Sequence, residues 1–167
     1  NSTVEAMAVG GANVSISGAA VTVNPTANLD SSQGYYLQIA ATAFDDASGN
    51  SYAGINDTTT LSFTAADVVG PTMVITSTTS GVSSGAATND STINLTFTAN
   101  EAATGFVVGD ITVTGGSLSS FATVSSTVYT ATFTPSGAGA KTIDVAANKF
   151  TDAAGNNNSA ATQFTWN

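Results

Sequence analysis

The amino-acid sequence predicts an all-β protein built from two sandwich modules in tandem, and three observations support this prediction. Apolar and polar residues alternate in short segments. Clusters of Gly, Asn, Asp and Ser separate those segments. One stretch of the chain also recurs after an interval of about a hundred residues, which is the length of one immunoglobulin-type sandwich.

The clearest strands are predicted in the second part of the chain. In 92–98, the apolar residues Ile93, Leu95 and Phe97 alternate with polar ones, and 128–134 repeats the pattern. Successive side chains of a strand point to opposite faces, so each segment predicts one buried and one solvated face. The same pattern predicts seven strands in this part, near 72–77, 91–98, 110–115, 118–124, 127–134, 140–147 and 161–166.

The first part of the chain carries fewer strand signals. Alternating apolar pairs occur at Val14/Ile16, Val21/Val23 and Leu61/Phe63. They contribute to five predicted strands, near 3–9, 13–17, 20–24, 35–42 and 59–64.

An internal repeat sets the module boundaries. Residues 40–50 match 146–156, and in each copy a final Phe-Thr pair follows, at Phe63-Thr64 and at Phe164-Thr165. In this alignment 3–9 corresponds to the third strand of the second module, so the first module lacks its two opening strands. The sequence therefore predicts an incomplete module over 1–66, a linker over 67–70 and a complete module over 71–167.

Composition narrows the possible functions. The chain has 11 acidic residues, two lysines and no His, Arg or Cys, which gives a net charge of −9. Such a chain is not expected to bind nucleic acid, because contacts to phosphate need Lys or Arg side chains. No apolar stretch approaches the roughly 20 residues of a membrane-spanning helix. Divalent cations remain plausible partners, and a solvated acidic surface is the alternative interpretation of the charge.

Particular motifs also resemble a known family. The second module resembles the bacterial Ig-like repeats of large adhesins through three segments, 109–116, 129–135 and 150–156. The first module resembles a related bacterial Ig-like class, also found in S-layer-type proteins, through 14–18, 28–30, 35–36 and 46–50. The resemblance implies a non-catalytic extracellular stalk or spacer whose partners are neighbouring modules or subunits. Some similar arrays bind Ca²⁺ at module junctions.

Strand topology indicates where a Ca²⁺ site would lie. If the strands run alternately up and down, one end of the second module gathers oxygen-bearing side chains from the linker and three other places. Ca²⁺ prefers such carboxylate and amide oxygens as ligands. The predicted ligands are Asp67, Glu101, Asp110, Asp152 and Asn156, with a weaker site at Asp45, Asp46 and Asn50 of the first module.

A purely structural interpretation competes with the metal site. Asp46 and Asp152 each precede a Gly-Asn pair, and Asp side chains commonly bond to their own turn backbone. In that interpretation Gly49 and Gly155 supply the positive φ angles that such turns require.

Enzymatic and covalent chemistry fit the sequence less well. A glycosidase needs two acids across one cleft, yet Glu5 and Glu101 lie in different modules. An intramolecular isopeptide bond would need Lys141 or Lys149 in a core, and a solvated lysine is the preferred interpretation of both. Tyr35 and Tyr129, at strand positions, are expected in the core or in cross-strand pairs rather than on sugars.

Three functions therefore stand as hypotheses. The chain is a surface spacer stiffened by junction Ca²⁺, a filament or surface-layer subunit joined by strand exchange, or an accessory region of a secreted polysaccharide-active enzyme. The incomplete first module bears on the second hypothesis, because exposed sheet edges accept strands from other chains and could form homo-oligomers. A sequence that begins within a domain explains the same incompleteness.

Overall fold

The computed structural model describes residues 3–167, and within that range it contains β-strands, one 3₁₀ turn (Val108–Asp110) and no α-helix. This confirms the all-β prediction. Nothing in 3–167 forms a helix of the length and apolarity that a membrane crossing requires. The strands are β1 (Val14–Ser17), β2 (Ala20–Val23), β3 (Gly34–Tyr36), β4 (Ser62–Thr64), β5 (Met73–Ser77), β6 (Ile93–Ala99), β7 (Ile111–Thr114), β8 (Gly116–Thr123), β9 (Val128–Pro135), β10 (Lys141–Val145) and β11 (Phe164–Trp166).

The chain divides into two compact units, Asn1–Asp67 and Val68–Asn167. In the second unit, one antiparallel sheet has the strand order β5-β6-β9-β8 and the other has the order β11-β10-β7. All seven strands predicted for this part of the chain are confirmed.

One core cluster draws on both sheets of the second unit. The alternation in β6 and β9 has the predicted consequence, because their apolar residues are buried and the residues between them reach the surface. Full burial of each large side chain stabilises the fold by about 1.5–3 kcal/mol. The buried strand residues of this core cluster include Ile93, Leu95, Phe97, Tyr129, Ala131, Phe133, Ile143, Val145, Phe164 and Trp166.

The first unit consists of two separate two-stranded sheets. β1 pairs with β2, and β3 pairs with β4, both antiparallel. Among residues 3–67 only Val14 is buried, whereas Ile16 is 54% exposed and Phe63 is 52% exposed. The alternation in this part is therefore real, but no second layer covers its apolar face within the described residues. Tyr35 and Phe63 form the expected cross-strand pair, with ring centroids 5.9 Å apart.

The prediction of a strand over 3–9 is wrong, since the structure assigns no strand there. The amide of Gly11 donates to the carbonyl of Ala8 at 3.0 Å, so the segment ends in a turn. The Glu5 carboxylate accepts bonds from the side chains of Asn13 and Thr26 instead of projecting from a ladder. Correspondence with a strand of the second module does not make a strand when no neighbour pairs with the backbone of the segment.

The expectation of a solvated Lys141 is also wrong. Lys141 is only 3% exposed, and its Nζ donates to the carbonyl of Gly139. Its aliphatic stem lies against Gly115, where a side chain would collide with the Lys141 methylenes. Lys141 therefore buries its stem and keeps its charged end on a backbone carbonyl. Lys149 is exposed, as expected.

Candidate metal centre

The segment that precedes β5 is held between two loops of the second module. The carbonyl of Pro71 accepts from the amide of Ser159 at 3.0 Å, and the amide of Thr72 donates to Asn100 Oδ1 at 2.6 Å. Gly70 packs so closely on the backbone of Asn157 that a Cβ at this position would overlap the Asn157 carbonyl. Glycine is therefore required here by a close approach of two backbones.

The loops after β6 and β10 are tied to each other as well. Thr104 and Thr151 exchange two backbone hydrogen bonds, of 2.7 and 3.1 Å. Beneath them, the ring of Phe106 meets that of Phe150 edge-on, with centroids 5.1 Å apart. Such edge-to-face pairs contribute about 0.5–1.5 kcal/mol beyond burial. These contacts fix the positions of the acidic residues that the two loops carry.

Three carboxylates converge at this end of the module. One oxygen each from Asp67, Glu101 and Asp152 lies within 4.8 Å of the other two. Asp152 is only 3% exposed, and the other two are half-buried. Asp67 lies directly before Val68, the first residue of the second unit. Carboxylates at such separations repel one another unless a cation or a proton lies among them.

Asp152 also forms the turn that the structural interpretation anticipated. Its Oδ1 accepts from the Asn156 amide and its Oδ2 from the Asn156 side-chain nitrogen, both at 2.8 Å. Gly155 has a φ of +92°. The turn and the carboxylate group thus occur together, because one Asp carboxylate can accept from a turn and still present lone pairs to a neighbour.

Asp110 is not part of the three-carboxylate group. Its Oδ2 accepts from the amide of Val107 at 2.9 Å, within the 3₁₀ turn that precedes β7. The structure thus brings together Asp67, Glu101 and Asp152, and places Asn156 against Asp152. That these residues bind Ca²⁺ stays a prediction.

The weaker site of the first module forms a local turn. Asp46 accepts from the backbone amides of Ser48 and Asn50 and from the Asn50 side chain, each at 2.8 Å, and Gly49 has a φ of +82°. Asp45 accepts from the Ser51 hydroxyl at 2.5 Å. Within residues 3–167, neither Asp45 nor Asp46 belongs to a group of three carboxylates.

Sequence reasoning missed one buried residue of the Asp152 loop. Asn158 is buried, and its Oδ1 accepts from the amides of Lys149 and Phe150 at 2.7 and 3.0 Å. Its Nδ2 donates to the carbonyls of Ala146 and Ser159. Asn158 thereby closes the loop that presents Asp152. The run of three Asn residues at 156–158 was its only signal in the sequence.

The Asp152 carboxyl links stability to pH. Burial raises its pKa, and hydrogen bonds from the side chain and backbone of Asn156 lower it by more, so the net pKa lies below the ordinary 3.8. A carboxyl whose pKa is lower in the folded state stabilises the fold above its unfolded pKa, and this contribution disappears as pH falls.

We therefore expect the melting temperature of the second module to fall as pH drops below 3.8, the ordinary value for Asp. The melting temperature of Asp152→Asn should fall less steeply at acidic pH, because the variant has no carboxylate to take up a proton at this position. Thermal melts at several pH values measure this. If the melting temperatures of the variant and the parent chain fall equally steeply at acidic pH, Asp152 does not link stability to pH.

Comparisons with known proteins bear on both modules. Residues 67–166 match a family model described as a bacterial Ig-like domain, and residues 1–65 match a second model with the same description. Searches of curated proteins and of solved structures found no match. Bacterial Ig-like domains commonly occur in surface or secreted proteins, where they are generally non-catalytic structural modules. The chain belongs to the bacterial Ig-like domain family, with two such domains in tandem.

Proposed function

We propose that this chain is a non-catalytic structural or adhesive spacer segment of a secreted or cell-surface bacterial protein, and that Ca²⁺ bound by Asp67, Glu101 and Asp152 stiffens it. The observation that carries the proposal is the convergence of these three carboxylates to within 4.8 Å. Membership of the bacterial Ig-like family supports the structural part of the proposal.

The donor set suits Ca²⁺. This ion takes about 6–8 oxygen ligands, and each carboxylate supplies one or two. Three carboxylates leave room for backbone carbonyls or water, so no closed cage of protein ligands is required. The group contains neither His nor Cys, because the chain has none, which makes Zn²⁺ and other soft metals poor competitors.

A bound cation would have a mechanical consequence. Asp67 precedes β5, Glu101 follows β6, and Asp152 lies in the loop after β10. A single ion on all three would remove their mutual repulsion and fasten the leading segment to two loops of the sandwich. A spacer gains stiffness from such a tie, since the chain is then fixed where it enters the module.

Melting in Ca²⁺ and in EDTA tests the proposal. At a free Ca²⁺ concentration a hundredfold above Kd, binding stabilises the folded state by about 2.7 kcal/mol. For a module of this size such a gain raises the melting temperature by about 10–20 °C, since each kcal/mol is worth about 4–8 °C.

Two single substitutions sharpen the test. Glu101→Gln removes one charge from the group and should abolish most of the shift. Asp144→Asn removes a charge from β10, outside the group, and should keep the shift. Equal melting temperatures in Ca²⁺ and EDTA for the parent chain would refute the Ca²⁺ site. The spacer function would then be supported by family membership alone.

A further inference from the structure

A cavity of about 450 Å³ opens at one end of the second module, between the loop before β6, the loop before β10 and the end of β11. Asp90, on its wall, precedes β6, whereas Glu101 of the three-carboxylate group follows β6. The cavity therefore lies at the opposite end of the sandwich from that group. Binding sites for small molecules commonly have volumes of about 300–1,000 Å³, so this cavity has the size of such a site.

Lys141 contributes a buried positive charge to the cavity wall. Its ammonium has three N–H donors, and the Gly139 carbonyl accepts from one of them. Among residues 3–167, no carboxylate forms an ion pair with Lys141. A buried ammonium without a counter-charge is costly, because one neutral carbonyl replaces little of the water that the charge has lost. Two N–H donors are thus left for a negatively charged group of a ligand.

Asp90 contributes a negative charge to the same cavity. Its Oδ2 accepts from the Thr88 hydroxyl at 2.6 Å, and Thr88 Oγ1 accepts from Trp166 Nε1 at 3.1 Å. Trp166 is buried and lies opposite Lys141 in the ladder of β10 and β11. These two hydrogen bonds hold the Asp90 carboxylate in place and leave lone pairs on its oxygens for a further donor.

Backbone contacts fix the walls between the two charges. Gly137 and Gly139 have φ angles of +150° and +98°, and the residue between them is alanine, so this loop lines the cavity mainly with backbone. On another wall, the Thr88 amide donates to the Asn167 carbonyl at 3.0 Å, and the Asn167 amide donates to the Ala86 carbonyl at 2.9 Å. A cavity with fixed walls binds its ligand at a low cost in conformational entropy.

Two opposite charges therefore line one cavity without pairing with each other. A ligand with only a negative charge would be attracted by Lys141 but repelled by Asp90, and a ligand with only a positive charge would meet the reverse. A ligand that carries both charges a few bonds apart complements both residues. Free α-amino acids are the simplest molecules of this kind.

We propose that this cavity binds a small zwitterion of the α-amino acid class. The carboxylate of the ligand accepts from the Lys141 ammonium, and the ammonium of the ligand donates to the Asp90 carboxylate. Both contacts are charge-assisted hydrogen bonds, which are the stronger kind. The site shares no residue with the three-carboxylate group, so it is independent of the Ca²⁺ proposal.

Titration of the full chain with three small molecules tests the proposal. L-Alanine carries both charges, propionate lacks the amino group, and ethylamine lacks the carboxylate. Trp166 is the only tryptophan of the sequence, so its indole N–H gives a single NMR signal. Because this N–H donates to Thr88, which in turn donates to Asp90, the signal reports on the cavity.

We expect L-alanine to shift the indole signal of Trp166 saturably. Propionate and ethylamine should bind at least about tenfold more weakly, because each lacks one of the two charge-assisted bonds. A signal that L-alanine does not shift saturably would overturn the proposal. Propionate or ethylamine that binds as tightly as L-alanine would overturn it as well, because the cavity would then select a single charge.

Substitutions assign the two charges to their residues. Asp90→Asn should weaken the binding of L-alanine at least about tenfold without weakening that of propionate. Lys141→Met keeps the buried stem and should abolish the binding of both. Asp144→Asn removes a charge from β10 outside the cavity and should leave the affinity for L-alanine unchanged.

Thermal melts followed by Trp166 fluorescence verify that each variant is folded. If Lys141→Met does not fold, Asp90→Asn alone decides, because Asp90 lies in a loop and is half-buried. An unchanged affinity of Asp90→Asn for L-alanine, or an equal loss in Asp90→Asn and Asp144→Asn, would contradict the assigned contacts.

Discussion

Replacing Phe133 with alanine is expected to lower the free energy of unfolding of the second module by about 3–5 kcal/mol. Phe133 has no exposed surface, lies opposite Ile93 and Leu118 in the ladder, and meets the Trp166 ring edge-on at 6.1 Å between centroids. Its loss leaves a cavity between the two sheets. Since a domain of this kind is stable by only about 5–15 kcal/mol, the variant loses a large share of its stability.

Urea denaturation followed by Trp166 fluorescence measures this loss, because Trp166 belongs to the same core. The matched control is Phe63→Ala. It deletes the same side chain from a position that is 52% exposed in the first module. The control should leave the midpoint of the Trp166 transition unchanged. Similar midpoints for Phe133→Ala and the parent chain would show that the core has been assigned incorrectly.

The two modules are expected to differ completely when they are produced as separate fragments. Residues 67–167 contain a full two-sheet core, so this fragment should fold alone and melt in one cooperative transition. Residues 3–66 have Val14 as their single buried side chain, so this fragment should be largely unfolded at room temperature.

Circular dichroism and the dispersion of amide NMR signals distinguish the two outcomes. The full chain serves as the control, because its spectrum shows which signals residues 3–66 give when they are joined to the second module. A fragment of 3–66 with dispersed signals and a sigmoidal melt would contradict the inference that the first module needs a further strand. A fragment of 67–167 that fails to fold would contradict the description of this module as complete.

The sequence predicts strands well where both faces of a strand have a defined environment. In β6 and β9, apolar residues alternate with Thr and Asn, and burial on one face enforces the strand and its register. In 3–9 the last four residues are all apolar, the strand was predicted from correspondence with the third strand of the second module, and no strand forms. The decisive factor is a pairing partner for the backbone, which a local pattern of side chains cannot reveal.

The sequence grouped the candidate site residues through strand topology alone. The alternation of strand direction is sufficient to bring residues from the linker, the loop after β6 and the loop after β10 to one end of the module. It does not show that the carboxylate of Asp110 accepts from the Val107 amide, because a local hydrogen bond of this kind depends on the 3₁₀ turn.

The alternation in β10 places Lys141 on the same face as the buried Ile143 and Val145, which the interpretation from charge overlooked. The stem of Lys141 occupies the space above Gly115, a residue that is distant in the chain and adjacent in the fold. Charge alone suggested an exposed side chain, since lysine is almost never fully buried without a partner. The partner is the carbonyl of Gly139, which has no signature in the sequence.

Hydrogen exchange over the whole chain, in Ca²⁺ and in EDTA, tests the account most directly. Strands β5, β6 and β9 should be protected in both conditions, and the backbone around Glu101 and Asp152 should become more protected in Ca²⁺. Strands β1 to β4 should exchange rapidly in both. Equal protection of the two modules, or loops around Glu101 and Asp152 that do not respond to Ca²⁺, would contradict a complete Ca²⁺-stiffened spacer module that follows an incomplete one.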